Sequence, residues 1–187
     1  AEDRFVSDGI SSIQVEVARL TTDNSLTDNR TFYFRDASER EFYSVNLLGA
    51  AYSFFSIPYQ YRFTVNFDPA GTFGPHEAAA SAWTTARTTE LFVEPRQVYT
   101  IKEVKVNVTP VFSFMQFPSV TVELRYREHE QEDYQRGNYQ FNEETANKVW
   151  RFRSFAAVPL TYQYRITYHR SGEEGGTIKA GWQESCE

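Results

Sequence analysis

Protein chemistry depends on side chains that hold protons, metals or nucleophilic lone pairs, and this chain has few of them in a useful spacing. Its three histidines, His76, His129 and His169, lie far apart in the sequence. No His-Glu-x-x-His, Gly-x-Ser-x-Gly or Cys-x-x-Cys occurs, and no phosphate-cradling glycine loop, so no motif for zinc hydrolysis, acyl transfer, dithiol exchange or nucleotide binding is present. A two-histidine metal site would need distant segments to converge, so neither a metal nor a cofactor is expected. His129 sits among Glu128, Glu130, Glu132 and Asp133. These are hard oxygen donors of the kind calcium takes, but they lack the fixed Asp/Gly spacing of a tight site, and the stretch reads as a solvated acidic hairpin loop. An acid and a base would have to come from carboxylates such as Glu123 and Asp133, which nothing in the sequence pairs. The expectation is a protein that is not an enzyme.

The aromatics are the other candidate. There are 16 Phe, 12 Tyr and 3 Trp, 17% of the chain. Tyrosine and tryptophan faces stack on sugars, so exposed rings would make a carbohydrate-binding module. Most of these rings, however, alternate with polar residues and fall on the inward side of strands, where they form core. Two stretches depart from alternation: Phe54-Phe55-Ser56-Ile57-Pro58 and Phe112-Ser113-Phe114-Met115-Gln116-Phe117-Pro118. Phe54, Phe55, Phe112, Phe114 and Phe117 are therefore the candidate binding residues. They either pack a junction between two domains or form an interaction patch at a domain end.

The elements that must position these residues are strands. Tyr59, Tyr61, Phe63, Val65 and Phe67 alternate with Gln60, Arg62, Thr64 and Asn66, the period-two pattern of a strand with one dry face. The same alternation runs through 120–127, 162–169 and 104–108. A slip of one residue would turn each apolar set to water, so register is strongly specified. Turn chemistry separates the runs at 68–71, 136–138 and 171–176. Residues 76–82 are Ala-rich and predict one or two helical turns at most. The chain reads as all-β.

It also reads as one unit written twice. Tyr59-Gln60-Tyr61-Arg62-Phe63-Thr64 recurs as Tyr162-Gln163-Tyr164-Arg165-Ile166-Thr167, five of six residues identical. Ile13-Gln14-Val15-Glu16-Val17 matches Val120-Thr121-Val122-Glu123-Leu124 at an offset of 107 residues, which shrinks to 103 at the hexapeptide. Trp83 then corresponds to Trp182. Arg62 and Arg165, at matching places beside tyrosines, predict cross-strand ion pairs or cation–π contacts on the wet face. The expected domains are 1–95 and 96–187. The first is shorter at its front, so either 4–10 serve as a substitute strand or the chain is a segment of a longer tandem array.

From residue 91 onward seven runs predict strands: 91–94, 100–108, 119–127, 138–141, 148–153, 161–169 and 177–182. Seven short strands in such a length are the count of an immunoglobulin-like sandwich. The stretch Leu160-Thr161-Tyr162-Gln163-Tyr164-Arg165-Ile166-Thr167-Tyr168, followed by a Gly-rich turn, resembles the penultimate strand of fibronectin type III modules. That resemblance implies two tandem immunoglobulin-like antiparallel β-sandwich domains.

The 187 residues carry a formal net charge of −6 and 24% charged residues, ordinary globular composition without the basic surface that nucleic acid requires. No apolar run approaches the ~20 residues of a membrane span. Cys186, the single cysteine, lies one residue from the end and reads as an exposed tail thiol or an intermolecular link. The function expected is a non-catalytic structural or protein-interaction segment of a larger secreted, surface or assembly protein, extracellular or at the cell surface. Its partner is a protein or a neighbouring repeat; the alternative is a carbohydrate-binding module.

Overall fold

A computed structural model describes residues 4–21, 23, 25–44, 58–74, 78–130, 133–155, 161–171 and 176–186. It is an all-β, antiparallel protein of two compact units, Ala1–Thr100 and Ile101–Glu187. Unit 1 contains α1 (Arg4–Ser7), β1 (Ile10–Leu20), β2 (Leu26–Phe34), β3 (Tyr59–Phe67), β4 (Ala79–Ala80), β5 (Thr84–Ala86) and a 3-10 turn (Pro95–Gln97). Its sheet runs β2-β1-β3-β4, with β5 also paired to β3. Strand β6 (Thr100–Asn107) opens unit 2. It is followed by β7 (Ser119–Tyr126), β8 (Gln135–Phe141), β9 (Asn147–Ser154), β10 (Thr161–His169), β11 (Thr177–Lys179) and β12 (Gln183–Cys186). The main sheet of unit 2 runs β11-β10-β7-β8 with β12 on β10, and β6-β9 form a second sheet.

The two main sheets share order and register. Val15 pairs with Phe32 and Phe63, and Val122 pairs with Tyr139 and Ile166. Tyr61 faces Thr84, as Tyr164 faces Gln183; Thr64 faces Ala80, as Thr167 faces Lys179. Even the crossing from β4 to β5 repeats: Ser81 N donates to Phe63 O at 2.8 Å and Ala180 N to Ile166 O at 2.9 Å. The apolar alternation read from the sequence decides which face is dry, and Ile13, Val15, Val17, Phe63, Val65 and Phe67 are all buried in unit 1. In unit 2, Val120, Val122, Leu124 and Tyr126 meet Trp150 and Phe152 of β9, closing a two-layered core.

Several elements depart from the sequence reading. Residues 4–7 are helix rather than a substitute strand. Within the expected helical turns, Ala79–Ala80 pair with β3 as β4, and 75–77 lie outside the described residues. The run 91–94 forms no strand, because Glu94 caps the following 3-10 turn by accepting from Arg96 N at 3.1 Å. The final expected strand, 177–182, stops at Lys179 as β11, and an unexpected strand, β12, follows beyond it, so Cys186 sits in a strand opposite Thr161, with its thiol exposed.

Unit 1 fastens its two ends with a buried charge. Asp8 is 1% exposed. It accepts from Arg96 Nε and Nη2, both at 2.8 Å, from Tyr99 OH at 2.7 Å and from Ser7 Oγ at 3.0 Å. Tyr99 in turn meets Phe67 edge-on at 5.3 Å, and Arg4 pairs with Glu94. Burial pushes the Asp8 carboxyl up, but the hydrogen bonds from Arg96, Tyr99 and Ser7 outweigh it and leave the pKa below the usual value. In unit 2 the close contact is steric: a Cβ on Gly137 would fall 2.7 Å from the Trp150 ring.

A depressed carboxylate pKa gives stability that is complete above the unfolded value of about 3.9 and is lost as pH falls through the folded one. Urea melts of the wild type should therefore weaken below about pH 4. The Asp8→Asn variant should lose about 1–3 kcal/mol at neutral pH, since a neutral amide in that buried place cannot accept from all of its donors, and should show a flatter acid limb. Gly137→Ala should cost about 1–3 kcal/mol by overpacking. Trp150→Phe in the same chain should return part of that loss, measured as a double-mutant cycle.

Candidate functional site

Strand β6 pairs with β9 alone among the described residues, and its inward side chains are short. Two packed sheets stand about 10 Å apart. On the β9 side Trp150 (3% exposed) and Phe152 (1%) fill that gap. On the β6 side the filling falls to Val104, Val106 and Val108, facing Tyr164, Ile166 and Tyr168 of β10. All six are only partly buried, and between them lies an open apolar cleft of about 400 Å³. Consecutive residues from Val104 in β6 to Thr109 just beyond it line the cleft, so it follows the strand's edge as well as its inner face. Lys105, Asn107, Thr109 and Ser185 also line it, and a mainly apolar cleft with a few polar groups has the character of a binding site.

One end of the cleft is built by the loop 108–118. Backbone bonds from Phe112 N to Thr109 O (3.0 Å) and from Phe117 N to Ser113 O (3.2 Å) fold it into successive turns. Those turns gather Phe112 against Phe114 (4.9 Å, edge-on), Phe117 (6.1 Å) and Tyr168 (6.0 Å, stacked), with Phe117 also 5.4 Å from Tyr168. Three of the candidate binding residues, Phe112, Phe114 and Phe117, thus come together, and Phe112 lines the cleft itself. Next to them Val111 and Met115 stand 91% and 93% exposed, an apolar tip that the core does not need. Phe54 and Phe55 lie outside the described residues.

The wet face of each sheet carries the same three-residue brace. Arg62 Nε and Nη2 donate to Glu16 at 2.9 Å each, and Arg165 Nε and Nη2 donate to Glu123 at 2.6 Å each. Trp83 lies 4.9 Å from the Arg62 guanidinium carbon and Trp182 lies 4.5 Å from that of Arg165. The hydrogen bonds from Arg165 hold the Glu123 carboxyl below its ordinary pKa, so this group is an engaged anion at neutral pH. His169 is half-buried and shares a 2.8 Å bond with Thr121 Oγ1. In the acidic loop, Glu128 accepts from Phe155 N at 3.0 and 2.9 Å and so ties the end of β7 to the end of β9. Among the described residues no group of three His, Cys, Asp or Glu converges as metal ligands.

The rings most exposed among the described residues are Tyr33, Phe42 and Phe92, and no ring contact joins them. No helix of the described residues is long and apolar enough to cross a membrane. The cleft had no sequence signal: Val104, Val106 and Val108 read as ordinary core, and only the pairing of β6 leaves them half-covered. No protein-family model, curated protein or solved structure matches the chain.

Proposed function

We propose that the chain is a non-catalytic interaction segment of a secreted, surface or assembly protein, with the cleft beside β6 receiving an extended apolar stretch of a protein partner. The observation that carries this reading is the open apolar cleft running along a strand edge that pairs with nothing else among the described residues, with Val111 and Met115 exposed at its end. A partner strand laid there finds backbone groups to hydrogen-bond and a dry trough for alternate side chains, which are the two components of strand-addition recognition. Unit 1 then acts as a structural neighbour with the same sheet plan.

The test is a peptide library displayed on phage and selected against the whole chain. Selected peptides should alternate apolar and polar residues. They should bind Val106→Trp, which fills the cleft, at least about tenfold more weakly, equivalent to 1.4 kcal/mol, while Met115→Ser weakens them less and both variants keep the wild-type melting temperature. Peptides that bind Val106→Trp undiminished would refute the assignment.

A further inference from the structure

We infer that Arg125 and Arg127, which share the Tyr134 ring on the wet face of unit 2, form with Arg136 beside Arg125 a site for a single sulfate or phosphate ester group. The site lies on the face of the sheet opposite the cleft, and it is independent of what the cleft binds. The Arg125 guanidinium carbon is 4.5 Å from the Tyr134 ring and 3.9 Å from the Trp182 ring; that of Arg127 is also 4.5 Å from Tyr134. The two cations are therefore held within about 9 Å of each other. Arg136 stands directly opposite Arg125 in the β7–β8 register and is exposed. Like charges placed opposite each other oppose strand pairing, so a fold gains nothing by collecting three of them.

Among the described residues no carboxylate pairs with this cluster. Arg125 Nε donates to the neutral Gln163 Oε1 at 2.8 Å, and Arg127 Nη1 donates to the Glu130 backbone oxygen at 2.7 Å. Among the described residues none of the three arginines makes an ion pair. Ring stacking and the Gln163 bond fix the Arg125 fork while leaving its Nη donors for a ligand, which lowers the ordering cost of bidentate oxyanion capture.

Unit 1 provides the internal control. It keeps the glutamate–arginine–tryptophan brace but has Ala18 where unit 2 has Arg125 and Leu20 where it has Arg127, and Arg19 between them is paired with Asp28 at 3.2 Å. The sheet plan does not require the cluster. A single ester group is favoured over a polyanion for two reasons. The chain's net charge of −6 repels a long polyelectrolyte, and the Tyr134 and Trp182 rings already carry guanidinium groups instead of offering free faces for base stacking.

The experiment titrates the whole chain at low ionic strength with inorganic sulfate, inorganic phosphate, glucose 6-sulfate and glucose 6-phosphate, reading calorimetry and the side-chain N–H resonances of Arg125 and Arg127. Saturable binding of the sugar esters is expected, weakened at least about tenfold in Arg125→Gln/Arg127→Gln. Arg136→Gln, at an exposed position, gives a second reading if the double variant does not fold. Inorganic ions binding as tightly as the sugar esters would support the site and identify a free anion as its source; tighter binding of the esters would identify a substituted sugar. The inference fails if none of the four saturates, if binding survives both variants, or if a heparin fragment or single-stranded oligonucleotide is preferred at equal charge.

Discussion

A glutamate on the central strand, clamped by the arginine facing it and overlain by a tryptophan from the next turn, is the constraint on which both units are arranged. Glu16 and Arg62, like Glu123 and Arg165, occupy directly opposed positions, and a two-pronged bond between such residues forms in only one register. The tryptophan extends the constraint to a third element, since Trp83 and Trp182 each precede the last strand paired to the central hairpin. A partly exposed ion pair contributes little stability by itself. Its value lies in rejecting slipped pairings, each of which would also turn a buried apolar row to water.

Beneath that common brace the two units solve the covering of the inner face differently. Unit 2 adds a second sheet, and the indole of Trp150 lies so close to β8 that only glycine fits at 137. The Gln135 amide also reaches across to β9, donating to Arg153 O at 2.6 Å and accepting from Arg153 N at 2.8 Å, so that one side chain bridges the two sheets as a backbone strand would. Unit 1 draws residues 94–99 back onto its amino-terminal turn through Asp8, with Tyr99 delivered against Phe67. A buried carboxylate is costly unless every lone pair is satisfied. Four donated hydrogen bonds meet that condition, which explains how a charge sits at the edge of an apolar core.

Strands with a clear dry face could be read from the sequence, and 161–169 matches β10 to the residue. The arginines of the brace were legible too, because Arg62 and Arg165 recur at the same place of the repeated hexapeptide, but their glutamate partners emerge only from the strand register. Short-range signals misled where tertiary pairing overrides propensity. Ala79–Ala80 joins β3 despite an alanine-rich setting, and 91–94, three consecutive apolar residues and a glutamate, is diverted by the cap that Glu94 makes. The Phe112–Phe117 cluster could be found because consecutive rings cannot share one strand face. The cleft could not, since it depends on β6 having one neighbour and on valine being short, and neither fact is written locally. The arginine cluster was likewise hidden: Arg125 and Arg136 lie in different strands, and only the register brings them opposite each other.

The position of the cleft follows from how packing is distributed in unit 2. Tyr126, Trp150 and Phe152 stack at 4.5 and 4.6 Å, and Phe141 is 0% exposed beside them, so the dense half of the core lies between β7, β8 and β9. Large rings there supply most of the buried area, and the half between β6 and β10 is left to valines that leave space unfilled. Stability is not uniform across such a structure; the loosely packed edge opens at lower cost than the aromatic half. A strand edge carried on the weakly packed side, anchored by a rigid side it does not disturb, can accept another segment without loosening the core. Open apolar area is tolerable there because the dense aromatic half and the braced sheet carry the packing without it.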